Sequence, residues 1–508
     1  MNNQVFVRME DICKTFGTVK ANDHINFEVN KGEIHALLGE NGAGKSTLMN
    51  MLSGIYKPDS GSIYIHNQET KIGSPKESIE KGIGMIHQHY KLVEVQTAKD
   101  NVILGQTGSI FLRPKKLSEK LTKIVAQFGL SVEPDKKIYD MSIGEKQSVE
   151  ILKVLYRGAD ILIMDEPTAV LTPQETKKLF KIMRNMASEG CAIIIITHKL
   201  HEVMEISDRV TVLHKGATVG TLSTKDTSPR ELTDLMVGKS VNLSINRPEV
   251  ERGEVLLSLH HLNAIDNNNV KVLKDMSFKL YKGEILGVAG VAGSGQKELC
   301  ETIAGLYPVT SGDIIYSGEN IVGKSPREII KKGIAMSFVP EDRLGMGLVA
   351  SMDMIDNYLL KEHHNQKGFM IKRGPIEKVC ERMVEQLEIK TPSVHHPVKQ
   401  LSGGNIQKVL IGREIDSNPQ VLVTAYVVRG LDIGASHTIY DLLNEEKKKG
   451  VGILFIGEDL DVLLELCDRI VVLCQGEITG VVRAKDTTKE EVGYMMAGER
   501  IEGQVVAL

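Results

Sequence analysis

Gly39-Glu40-Asn41-Gly42-Ala43-Gly44-Lys45-Ser46-Thr47 lies between an apolar run that reads as a strand and a helical pattern beginning near Thr47. It fits the phosphate-loop pattern G-x-x-x-x-G-K-[ST] at every position. In such a loop the glycines let successive backbone N–H groups curl around phosphate oxygens. Lys45 then reaches the β- and γ-phosphates, and the Ser46 hydroxyl can ligate Mg2+. A glycine-rich turn of purely structural purpose could carry a similar string, so the reading needs partners elsewhere. Ile161-Leu162-Ile163-Met164-Asp165-Glu166-Pro167 supplies them: an apolar strand ending in two carboxylates, Asp165 suited to Mg2+ and Glu166 to polarising an attacking water. His198, closing the β-branched run 193–197, could hydrogen-bond a γ-phosphate, with a purely structural histidine as its alternative.

The same layout returns in the second half. Ser142 to Asp165 is 23 residues and Asp165 to His198 is 33, and Ser402 to Ala425 and Ala425 to Glu458 repeat those spacings. Lys31-Gly32-Glu33-Ile34 returns as Lys282-Gly283-Glu284-Ile285, and Ser207-Asp208-Arg209-Val210 as Cys467-Asp468-Arg469-Ile470. A period of roughly 250 residues far exceeds a solenoid unit of about 20–50 and means two homologous domains. Short apolar runs at 161–164, 192–197, 421–424 and 453–456 suit strands buried on both faces of a largely parallel sheet, so the fold class is α/β. Segments 90–140 and 344–400, helical in pattern at their ends, read as a helical subdomain inserted in each half. The polar stretch 239–254, with Pro248 and Gly253, reads as a linker, giving domains 1–240 and 254–508.

The second copy is damaged where the chemistry should be. In Gly290-Val291-Ala292-Gly293-Ser294-Gly295-Gln296-Lys297-Glu298, Gln296 stands for the phosphate lysine, Lys297 for the Mg2+ serine and Glu298 for the threonine. Its carboxylate strand ends in Ala425-Tyr426, and Glu458 stands where His198 stood. One working and one impaired phosphate site are therefore expected.

Composition bounds the rest. A net charge of −4 with no dense Lys/Arg run disfavours nucleic acid as a partner. Six scattered cysteines without metal-ligand spacing suit reduced thiols in the cytosol. The start, Met1-Asn2-Asn3-Gln4, runs into charged Arg8, Glu10 and Asp11 and does not read as a signal peptide. The longest apolar runs are a third of the roughly 20 residues a membrane-spanning helix needs.

These residues resemble the ATP-binding cassette ATPases over essentially the whole chain, which implies two tandem P-loop domains that take ATP and Mg2+. By that resemblance Gln88 is the glutamine that links the γ-phosphate and Mg2+ to a transport partner, and Phe16 is the aromatic that stacks on adenine, with a core phenylalanine as its alternative. Leu401-Ser402-Gly403-Gly404-Asn405 resembles the family signature, where a serine and a helix N-terminus meet the γ-phosphate; its alternative is a simple Ser-capped helix. The first-half counterpart, Met141-Ser142-Ile143-Gly144-Glu145, is degraded, because branched Ile143 blocks the close backbone approach that glycine permits. Family cassettes pair head to tail, so each ATP lies between the P-loop of one and the signature of the other. The good P-loop then faces the good signature, and the two damaged motifs face each other.

A double cassette without a spanning segment resembles the energising subunit of the ribose, galactose and nucleoside importer group. Pro340-Glu341-Asp342-Arg343, Thr172-Pro173 and the terminal Met496-Ala497-Gly498 echo of Met236-Val237-Gly238 carry that likeness. Gln88-His89-Tyr90-Lys91-Leu92-Val93 and Ser142-Ile143-Gly144-Glu145-Lys146-Gln147 look more like nucleoside-type members than simple-sugar ones. The group implies peripheral attachment to the cytoplasmic face of the membrane, permease partners and an extracytoplasmic solute-binding protein. A ribosome-acting double cassette is the rival; such proteins usually keep both sites intact and carry a long charged linker, whereas this linker is roughly 16 residues. A DNA-repair cassette would need a long heptad insertion, which is not found.

Overall fold

The computed structural model describes residues 4–17, 19–87, 91–105, 114–169, 171–197, 199–238, 245–266, 269–332, 334–338, 343–363, 366, 370–431 and 433–500. The chain divides into two compact units, Met1–Asn242 and Leu243–Leu508.

In the first unit a six-stranded sheet runs in the order Ala217–Ser223, Arg209–His214, Ile34–Gly39, Ala192–Ile196, Ile161–Asp165, Ile83–Ile86. All neighbours are parallel except the first pair. Ile193 to Ile196 are at most 1% exposed. Each such side chain contributes roughly 1.5–3 kcal/mol on burial, which outweighs the roughly 1 kcal/mol of any one helix cap. Because Ile34–Gly39, Ala192–Ile196 and Ile161–Asp165 are adjacent and parallel, their carboxyl ends bring the P-loop, Thr197 and the Asp165-Glu166 pair to one edge of the sheet, where open α/β sheets bind ligands.

Parallel neighbours need a crossover, and the helical insertion occupies the one between Ile83–Ile86 and Ile161–Asp165. It contains Ala98–Ile103, opened by a Thr97/Asp100 capping box, then Pro114–Phe128 and Ile143–Tyr156. The second unit repeats this. Its sheet order is Ile334–Phe338, Val421–Ala425, Gly452–Ile456, Ile285–Gly290, Arg469–Cys474, Glu477–Arg483. Helices Met354–Glu362, Arg373–Gln386 and Gly403–Asp416 fill the crossover between its first two strands. Met354, Tyr358, Cys380, Met383 and Val409 close their shared core.

Each unit also has a four-stranded antiparallel sheet that the sequence reading does not contain: Val19–Asn30, Val5–Phe16, Ser60–Ile65, Gln68–Glu69 in the first, and Lys271–Tyr281, Val255–Ile265, Ser311–Tyr316, Glu319–Asn320 in the second. Bulges break its inside-outside alternation. At them Asp11 and His24 take φ of 55° and 53°, and His261 and Asp275 take 49° and 52°. The stretch read as a linker is anchored from residue 245 onward to the second unit: Asn444 Nδ2 donates to the Asn246 carbonyl at 3.2 Å and Lys447 Nζ to that of Pro248 at 2.8 Å.

One buried carboxylate is satisfied differently in the two copies. In the second unit Arg469 donates to Glu284 from Nε at 2.7 Å and Nη2 at 3.2 Å. In the first, Arg209 is 3.4 Å from Glu33, and fully buried His35, where the other copy has Leu286, bridges Glu33 (2.8 Å) and Thr211 (2.7 Å). Burial pushes the His35 pKa down and nearby Arg209 adds to this, against the pull of Glu33 and Glu28. A histidine held neutral in the fold and protonated near pH 6.5 when unfolded contributes stability that is lost as pH falls through about 6.5. His35→Leu should therefore lower the melting temperature at pH 7.5, by the equivalent of about 1–3 kcal/mol for two lost hydrogen bonds. It should also flatten the loss of stability between pH 7 and pH 5, measured by thermal melts across that range.

Candidate active site

The P-loop is a strand-to-helix turn that only glycine can make at two points. Gly39 ends its strand, and a Cβ there would lie 2.5 Å from the Leu213 carbonyl oxygen. Gly44 caps the helix Lys45–Leu52 at φ 96°, where a Cβ would meet the Ala21 carbonyl oxygen at 2.3 Å. Gly42, at φ 84°, faces open space, and the Gly216 N–H donates to the Ala43 carbonyl at 3.2 Å. Asn22 Nδ2 secures the loop by donating to the Gly44 carbonyl at 3.2 Å.

Lys45 is 6% exposed, and its ammonium donates to the carbonyls of Gly39 at 2.6 Å and Glu40 at 2.9 Å. Burial lowers its pKa, opposed by the nearby charges of Glu166, Asp165 and Glu40. Asp165 is pushed up to about 6 by burial, then by Glu166, with Lys45 pulling the other way. Such a carboxylate takes up a cation readily, since the cation relieves both causes. Hard-oxygen donors Asp165 and Ser46 beside the phosphate loop fit Mg2+. Glu166 sits at φ 46°, with its N–H bonded to the Ile196 carbonyl at 2.9 Å, a turn that lifts the side chain out of the strand register. Phe16 is 42% exposed and meets Tyr56 edge-on at 5.2 Å, so it is a surface platform and not a core residue. Ser46 and Asn41 are exposed and Thr47 half-buried. Gln88 and His198 lie outside the described residues.

The two signature serines are in different states. Ser142 caps Ile143–Tyr156 in a full capping box: its Oγ accepts from the Glu145 N–H at 3.3 Å, and its own N–H donates to Glu145 Oε2 at 2.7 Å. A carboxylate already occupies that helix start. Ser402, at the start of Gly403–Asp416, makes no capping bond; its Oγ instead accepts from Asn405 Nδ2 at 2.8 Å, and Asn405 Oδ1 accepts from the Lys390 N–H at 2.9 Å. Gly404 presents no Cβ to crowd the approach. The simple Ser-capped helix therefore describes Ser142 and not Ser402.

In the second unit the loop backbone is kept: Gly295 caps its helix at φ 101°, and the Gly476 N–H donates to the Ser294 carbonyl at 3.1 Å. The lysine's place is taken by buried Gln296, whose Nε2 donates to the Val291 carbonyl at 3.1 Å without a charge. Tyr426 adopts the turn of Glu166, with φ 54° and its N–H on the Ile456 carbonyl at 2.9 Å. Burial and Glu458 push its hydroxyl up to about 12. Arg429 pairs with Glu458 at 3.4 Å.

Some site-shaping residues escaped the sequence reading. Gln147 Nε2 donates to the Pro167 carbonyl at 2.8 Å, and Gln407 Nε2 to that of Arg429 at 3.2 Å, so each of these helices holds the turn that follows Glu166 in one unit and Tyr426 in the other. Their recurrence five residues past each signature serine was the available signal.

The ABC transporter family model matches residues 22–169 and 273–424. The chain is 42% identical over 507 residues to the nucleoside import ATP-binding protein NupA of Lactococcus lactis subsp. cremoris, covering 99% of this chain and 100% of that one. It is 42% identical to the guanosine import ATP-binding protein NupO of Bacillus subtilis, with 97% of each covered. To the xylose import ATP-binding protein XylG of Moorella thermoacetica it is 39% identical, covering 96% of this chain and 97% of that one. Among solved structures, archaeal ribosome recycling factor aABCE1 in complex with the ribosomal stalk protein aP1 has a TM-score of 0.60 at 18% identity, covering 91% of this chain and 87% of that one, a likeness of fold alone. Among the described residues no helix is long and apolar enough to cross a membrane. With two matched cassettes, a complete P-loop and relatives matched end to end, the chain belongs to the ABC transporter family and is an ATPase of it.

Proposed function

We propose that this chain energises uptake of a nucleoside through a separate membrane permease, using one hydrolytic and one impaired ATP site. The observation that carries the asymmetry is the matched pair of differences: charged Lys45 with an uncapped signature serine at Ser402, against neutral Gln296 with a serine already capped by Glu145. Head-to-tail pairing would join the first two in one site. There Phe16 would stack on adenine, Lys45 and the loop amides of 39–47 would hold the β- and γ-phosphates, and Ser402 with the N–H groups of Gly403 and Gly404 would close over the γ-phosphate. Ser46, Asp165 and Gln88 would hold Mg2+, which when bound neutralises charge developing on the phosphate oxygens. Glu166 orients and polarises the attacking water, and His198 hydrogen-bonds the γ-phosphate. Identity of 42% to nucleoside and guanosine import proteins against 39% to a xylose import protein favours a nucleoside over a sugar. The helical insertions would dock on the permease at the cytoplasmic face, with an extracytoplasmic binding protein delivering solute.

Glu166→Gln should keep ATP binding and lower steady-state phosphate release, measured with the permease, by orders of magnitude; near wild-type turnover would overturn the assignment. Ser402→Arg should abolish hydrolysis by filling the γ-phosphate position, whereas Ser142→Arg should do much less. Thermal melts without nucleotide establish folding in both, and greater sensitivity at Ser142 would rule out the composite site.

A further inference from the structure

Glu202 lies on the helix Leu200–Ile206 and is 1% exposed, a carboxylate taken almost wholly out of water. Such a group needs full pairing. The Thr168 hydroxyl donates to its Oε1 at 2.6 Å, the Thr197 hydroxyl to its Oε2 at 3.4 Å, and the Lys199 ammonium lies 3.2 Å from Oε1. Lys199 Nζ also reaches the Thr168 hydroxyl at 3.4 Å and carbonyl at 3.5 Å. Thr168 is two residues past Glu166, in a turn closed by the Ala169 N–H on the Glu166 carbonyl at 3.2 Å.

The second unit is an internal control. At the corresponding positions it has Val428, Gly457, Asp459 and Val462, so every member of the network is gone. The turn persists without them: Tyr426 keeps the positive φ and the bond to Ile456, and the Arg429 N–H still closes on the Tyr426 carbonyl at 3.0 Å. Val428 and Val462 pack against the apolar core instead. Asp459 caps its helix by accepting from the Asp461 N–H, while Lys199 leaves its helix without a side-chain cap and puts a cation at the positive end of the dipole. The backbone turn therefore forms without the network. The unit with intact catalytic groups nevertheless buries a charge and forgoes a cap to have it.

We propose that Glu202 is a positioning residue for ATP hydrolysis, tying the turn that carries Glu166 to the end of the strand Ala192–Ile196 through Thr168, Thr197 and Lys199. The inference rests on Glu166 as the water-polarising group. Its purpose would be to restrict a side chain whose misplacement by a fraction of an ångström slows the chemical step without weakening nucleotide binding.

The test is steady-state ATPase kinetics on the full-length protein with its permease. Glu202→Val and Thr168→Val should each lower kcat about tenfold or more with the KM for ATP within about twofold. The double variant should lose no more than the worse single one, because both break one tie. Glu202→Gln and Thr168→Ser, which keep the hydrogen bond, should return kcat to within about threefold of wild type. The double valine copies a pair around which the second unit folds, and thermal melts check it; if it does not fold, the Thr168→Val and Thr168→Ser pair decides alone. Near wild-type kcat in the valine variants, losses that multiply, or a loss confined to KM would overturn the proposal. Glu166→Gln is assayed beside them. If it retains turnover, the reading of Glu166 fails; if it is inactive while the Glu202 and Thr168 variants are normal, the tie alone fails.

Discussion

A buried ammonium held by two backbone carbonyls is the central charge of the first unit's candidate site. Lys45 keeps its charge out of water on the oxygens of Gly39 and Glu40, within reach of the fields of Asp165 and Glu166. Carbonyl dipoles alone compensate a buried cation poorly, and phosphate oxygens compensate it far better. The strand ends that bring Asp165 and Glu166 beside it follow from the parallel order of the sheet. Where the second unit puts Gln296 in that place, the same kind of carbonyl is satisfied by a neutral amide, and the loop keeps its backbone turn without the buried charge.

What the sequence made legible follows from how local each signal is. The P-loop, the Asp165-Glu166 strand end and the isoleucine runs are contiguous strings whose conformation is set by their own residues and the sheet period. The helical insertions were visible as blocks because a crossover between parallel strands has to be filled. The antiparallel sheets were not: bulges at Asp11 and His24 interrupt the period-two pattern by which a strand is recognised. The partners of Gln147 and Glu202 were also illegible, even where Gln147 itself recurs in the repeat, since these contacts join segments 20 to 34 residues apart whose approach depends on the finished fold. Phe16 was ambiguous as a string; its exposure at the end of a strand excludes the core reading.

The two copies separate what the backbone requires from what the chemistry requires. Left-handed turns at Glu166 and Tyr426, glycine caps at Gly44 and Gly295, and loop closures by Gly216 and Gly476 occur in both. They belong to the fold. The sheet bulge behaves likewise: Asp11 pairs with His24 in the first unit and His261 with Asp275 in the second, the two residue types exchanged across one geometry. By contrast, lysine, both carboxylates and the Glu202 network occur only in the first, so none is needed to build a cassette.

Loss of those charges did not leave the second unit with orphaned partners. Gln296 bonds its loop, Arg429 pairs with Glu458, and Val428 and Val462 join the apolar core, so each replacement has a local partner of its own kind. Replacements of this kind relax local conflicts, since sites that break local rules persist where something else depends on them. The start of the helix Gly403–Asp416 has not relaxed. Two glycines open it, the least favourable helix formers short of proline, and the Ser402 hydroxyl accepts from the Asn405 side chain and leaves the helix without the cap that Ser142 supplies. Ser142 shows that the same fold accommodates a capped start. That start therefore lacks the side-chain cap that its counterpart has, although the two helices open at equivalent places in the two units.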